Sequence, residues 1–135
     1  DYERVKYIAT AVRRAFEACD PAELPWPFPR HACGDTAMIL GQVLYEHGIK
    51  GFMYVWGEKR GDHGAYSSHA WLQNGEWIVD ITADQFADMH EPVIVTNSSP
   101  WHEAWEQCPP SDSTVAPSDT RLWQITAIME PRLVL

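Results

Sequence analysis

Apolar positions along the chain change period near residue 50. Before it, Val5, Ile8, Val12, Phe16 and Cys19 recur at three- and four-residue steps, which predicts an amphipathic helix over 3–19. Lys6, Arg13, Arg14 and Glu17 are expected on its polar side, and Asp20-Pro21 ends it. Residues 21–30, PAELPWPFPR, hold four prolines and predict a rigid connector whose Trp26 and Phe28 pack on the core. A second helix is expected from about Asp35 to His47. Its stripe is Ala37, Leu40, Gly41 and Leu44, Cys33 stands at its entrance and Gly48 is its left-handed C-cap.

After residue 50 the pattern predicts strands. Residues 51–56, 65–72 and 76–82 read as β, with 57–64 (GEKRGDHG) as a polar loop between the first two. Asn74-Gly75 signals a tight hairpin. Residues 92–96 suggest a short strand. The stretch 97–120, with four prolines and five serines, suggests loop with one helical turn near 101–107. Residues 122–129 read as a closing strand. The class expected is α+β.

Composition narrows this. At 135 residues the chain suits one domain, and 45% hydrophobic with 21% charged residues is a globular balance. The net charge of −9 argues against general binding to nucleic acid or anionic membranes. No apolar run nears the ~20 residues of a membrane span. Asp1-Tyr2-Glu3-Arg4 does not resemble a signal-peptide start, and the missing initiator Met suggests a processed piece. A soluble domain is expected, with its compartment and oligomeric state open. The GEKRGDHG loop fits no phosphate-binding pattern, and the six histidines show no zinc-ligand spacing, so neither cofactor nor metal is expected.

Candidate chemistry lies in the hairpin. A loop symmetric about Asn74-Gly75 opposes residues whose numbers sum to 149, which sets His69 across from Asp80 on one face. A carboxylate beside an imidazole fixes its tautomer and stabilises its cation. Cys33, at a helix entrance, stands where unpaired backbone N–H groups and the helix dipole favour a thiolate and an oxyanion. Cys33, His69 and Asp80 are the expected catalytic residues. Cys19 reads as a buried thiol and Cys108 as a loop thiol, with a bridge between them left open. Trp101, His102 and Trp105, at one-turn spacing, read as core packing.

Two segments carry a family resemblance. Residues 31–57, HACGDTAMILGQVLYEHGIKGFMYVWG, resemble the nucleophile helix and following strand of the transglutaminase-like superfamily. Residues 68–82, SHAWLQNGEWIVDIT, resemble its His-Ala-Trp and Trp-x-x-Asp-x-Thr motifs, with Ile81 where the family often has Pro. The resemblance implies a papain-like core with the nucleophile helix packed on an antiparallel sheet. It also implies Cys33 as nucleophile, His69 as general base and acid, and Asp80 as orienting carboxylate. The family's oxyanion side chain has no clear counterpart, and Trp26, His31 and Trp71 are the candidates. The expected function is cysteine-dependent acyl transfer on a protein or peptide amide: peptidase, deamidase or transglutaminase. The alternatives are a non-catalytic protein-binding module on the same fold and a metal-dependent hydrolase.

Overall fold

The computed structural model describes residues 2–135. Asp1 and the side chain of Asp62 lie outside the described residues, and with them those parts of the N-terminal and 57–64 readings. The order is α1 (Tyr2–Ala18), α2 (Cys33–Glu46), β1 (Met53–Arg60), β2 (Tyr66–Asn74), β3 (Trp77–Asp80), β4 (Ile94–Thr96), α3 (Pro100–Glu103), β5 (Glu106–Gln107), β6 (Ser111–Asp112) and α4 (Thr120–Met129). The antiparallel sheet runs β4-β3-β2-β1-β5, with β6 also on β1. No helix among the described residues is long and apolar enough to cross a membrane.

Strand alternation divides the sheet into two apolar faces. Leu72 and Val79 face the larger core with Val5, Ile8, Val12 and Phe16 of α1, Leu40 and Leu44 of α2, and Ile125 and Met129 of α4. Val55, Trp71 and Ile78 face a second cluster closed by Trp105, with Phe86 and Trp101 packed on it. Trp26 and Phe28 of the proline-rich connector pack on Phe16, as expected.

Four expectations change. Residues 120–129 form helix α4, not a strand. Asp119 caps it by accepting from Leu122 N–H at 3.0 Å, and Leu122, Ile125, Thr126 and Met129 make a helical stripe that the β-branched composition hid. Strand β1 starts later than residue 51 and continues through Glu58–Arg60, because its polar end pairs along β2 as far as Arg60–Tyr66. Gly75-Glu76, not Asn74-Gly75, makes the hairpin turn. Gly75 supplies the one positive φ (59°), and Asn74 pairs with Trp77. The register sum is therefore 151. Finally, Arg13 is buried. It clamps Asp84 through two hydrogen bonds (2.7 and 2.8 Å) and donates to Ile81 O at 2.8 Å, which ties α1 to the end of β3.

Candidate active site

The change of register preserves the His69–Asp80 pair. A sum of 151 instead of 149 keeps both residues on one face and turns an opposed pair into a diagonal one, still within side-chain reach. His69 Nε2 meets Asp80 Oδ2 at 2.6 Å, and both residues are buried. Asp80 Oδ1 accepts the Thr82 backbone N–H at 2.9 Å. Burial alone would raise the Asp80 pKa. The His69 charge and the hydrogen bonds from His102 and His69 outweigh it and hold the carboxyl well below the usual range. Burial alone would lower the His69 pKa. The charge and hydrogen bond of Asp80 raise it instead to about 9, with Cys33 adding to the rise.

A carboxylate only accepts hydrogen bonds, so the His69 proton facing it sits on Nε2. That leaves Nδ1, buried and without a hydrogen-bond partner, as the basic nitrogen. The Cys33 thiol is close enough to His69 to add to the rise in its pKa, although no partner stands at hydrogen-bond distance from Nδ1. A narrow void lined by Cys33, Thr36, Ala70, Trp71, Asp80 and Thr82 lies between the start of α2 and the strand pair.

Helix α2 begins at Cys33 itself, two residues earlier than expected, and no side chain caps it. Its first backbone N–H groups are thus left for an anion. Cys33 is half-buried. Asp35, in the same first turn, is held by Arg121 through two hydrogen bonds (2.9 and 2.7 Å) and by Trp26 Nε1 at 2.8 Å. Against its burial, these contacts keep the Asp35 pKa below the usual value.

The three oxyanion candidates fare poorly. The Trp26 indole N–H is taken by Asp35 and the Trp71 N–H by Gln73 at 3.1 Å, while His31 is exposed. Tyr54 was not anticipated. Its hydroxyl lies so close to Gly34 that a Cβ there would sit 3.2 Å away. Burial, then the charges of Cys33 and Asp35, push the Tyr54 hydroxyl up to about 12, so it remains a donor at neutral pH. The only sequence signal for it was its place in the strand that follows helix α2.

His102 was also missed as a site residue. Its Nε2 meets the same Asp80 Oδ2 at 2.7 Å, and its Nδ1 meets Ser99 Oγ at 2.5 Å. His69, Asp80 and His102 bring their ligand atoms within 4.8 Å of one another. N···O spacings of 2.6 and 2.7 Å belong to proton-bridged contacts, since tetrahedral ligands ~2.0 Å from zinc lie about 3.3 Å apart. Around His69 stand Phe86, Trp101, Trp71 and Trp105, with ring centroids at 5.1, 5.6, 5.7 and 5.8 Å. Cys19 is buried and Cys108 exposed, and both are free thiols rather than a bridge.

Comparison of the chain with family models, with curated proteins and with solved structures finds no match.

Proposed function

We propose that this chain is a cysteine-dependent acyl-transfer enzyme with a transglutaminase-like, papain-like core. One observation carries the reading: the buried 2.6 Å His69–Asp80 pair leaves Nδ1 for a thiol at an uncapped helix start. The order Cys33, His69, Asp80 and the resemblance over 31–57 and 68–82 support it.

In this mechanism His69 Nδ1 takes the thiol proton, and Cys33 Sγ attacks the carbonyl carbon of a protein or peptide amide. The backbone N–H groups at the start of α2, with the Tyr54 hydroxyl nearby, stabilise the oxyanion. His69 returns the proton to the leaving nitrogen as the tetrahedral intermediate collapses to a thioester. Water or an amine then attacks the thioester, giving up a proton to His69, and Cys33 leaves as the thiolate. The closed aromatic shell of His69 keeps this proton transfer out of bulk water.

Candidate proteins incubated with the wild type and with Cys33→Ala, then read by mass spectrometry, test the proposal. A mass change from amide to acid identifies deamidation, a cross-link with loss of ammonia identifies transamidation, and fragments identify proteolysis. Each must vanish with Cys33→Ala. Modification that persists in that variant overturns the proposal.

A further inference from the structure

We infer that His102, backed by Ser99, is a positioning residue for this reaction: it holds Asp80 and limits how tightly Asp80 grips His69, so that His69 can release its proton. The inference deepens the acyl-transfer reading and rests on it.

Asp80 Oδ2 lies 2.6 Å from His69 Nε2 and 2.7 Å from His102 Nε2, and its partner Oδ1 accepts from Thr82 N–H. A carboxylate oxygen has no proton to give, so both imidazoles donate from Nε2. His102 Nδ1 then needs a donor if the ring is uncharged, and Ser99 Oγ stands 2.5 Å away. Ser99 Oγ also accepts the His102 backbone N–H at 3.3 Å, which leaves its own hydroxyl proton for Nδ1. Every partner in the chain Ser99–His102–Asp80–His69 is thereby satisfied with one proton on His102. The segment is rigid: Ser99 is the N-cap of α3, Pro100 follows it, and His102 is fully buried between Trp71 and Trp101.

Two donors on one oxygen share its charge. With His102 in place, Asp80 stays anionic and oriented but binds the His69 cation less strongly than an undivided carboxylate would. That balance suits a group that takes a proton from a thiol and must return it to an amine. The charged and titratable groups facing the pair are Asp80 of β3, Cys33 of α2 and Lys59 of β1, whose ammonium lies 5.8 and 4.9 Å from the Trp101 and Trp105 ring centres.

Iodoacetate labelling of Cys33 across pH, read peptide by peptide, tests the inference. The anionic reagent favours a thiolate beside an imidazolium, so its rate falls on an alkaline limb as His69 loses its proton. His102→Leu should raise that limb by about one pH unit, the effect of one lost hydrogen bond to a charge. His102→Gln, which keeps a donor at the Nε2 position, should return it to the wild-type value. A limb that stays or falls in His102→Leu, or a Gln variant that matches Leu, overturns the inference.

If His102→Leu does not fold, long-range 1H–15N correlation on the wild type decides. His102 should hold a single proton on Nε2 while His69 is doubly protonated. A doubly protonated or Nδ1–H His102 there overturns the inference. Labelling that ignores His69→Gln removes the acyl-transfer reading itself. Labelling that depends on His69 but ignores His102 removes only this inference.

Discussion

Replacing Asp80 by Asn tests the link between the buried pair and the thiol. Against burial, which lowers it, the charge and hydrogen bond of Asp80 together with Cys33 raise His69 from 6.5 to about 9, a net difference of roughly 3 kcal/mol in favour of the imidazolium. Asn keeps the size and removes the charge. Its amide also offers a donor where only acceptors now stand, which disfavours the Nε2–H tautomer and places a proton on the Nδ1 that must accept one. With the charge gone, burial dominates and His69 titrates below its ordinary value. The thiolate–imidazolium pair then loses a factor of at least about 10² against the neutral pair. Iodoacetate labelling of Cys33 at pH 7 should fall by between about 10- and 100-fold and follow an ordinary thiol with a midpoint near ~8.5. Cys108, exposed and free, serves as an internal control in the same digest. A Cys33 in Asp80→Asn that still labels at the wild-type rate at pH 7 would refute the coupling.

Four further outcomes follow from contacts within the fold. The folded-state pKa of His69 is raised, so its stabilisation is complete below 6.5 and is lost as pH climbs to about 9; urea midpoints should decline across that window in the wild type and not in Asp80→Asn. The Asp80 pKa is depressed instead, so its contribution is present above ~3.9 and disappears as pH falls below that value, which acid unfolding monitored by circular dichroism will report. Arg13→Ala leaves Asp84 and the Ile81 carbonyl without their donor, and should lower unfolding free energy by about 2–3 kcal/mol in urea titration. Gly41→Ala sets a Cβ 2.2 Å from the Ser113 backbone oxygen, so α2 or the 111–115 segment must shift; calorimetry should show a loss of about 1–3 kcal/mol, and an unchanged melting temperature would contradict the packing described.

Residue spacing indicated which side chains meet more faithfully than it indicated the strand register. His69 and Asp80 were legible because side-chain parity survives any register error of two. The turn itself was misjudged, because a first-position Gly75 satisfies a two-residue turn as well as Asn-Gly does. Helix α4 was misread because Leu122, Ile125, Thr126, Ile128 and Met129 fit a strand as well as a helical stripe. What decides is the Asp119 cap together with burial against α1 and α2. Arg13 looked solvent-facing because the acid and carbonyls that receive it lie 68 and 71 positions away. The His102–Asp80 contact was hidden for the same reason: its two residues are 22 positions apart, across a connection with no periodic pattern.

The aromatic shell of His69 has an optical consequence. Indole emission is quenched by a protonated imidazole in contact with it, and Trp71, Trp101 and Trp105 all lie within 5.8 Å of the His69 ring centre. The other four tryptophans, Trp26, Trp56, Trp77 and Trp123, stand outside this shell and supply a steady background. A rise in tryptophan emission as pH climbs past about 9, read in the unlabelled protein against that background, is the outcome expected as His69 loses its proton.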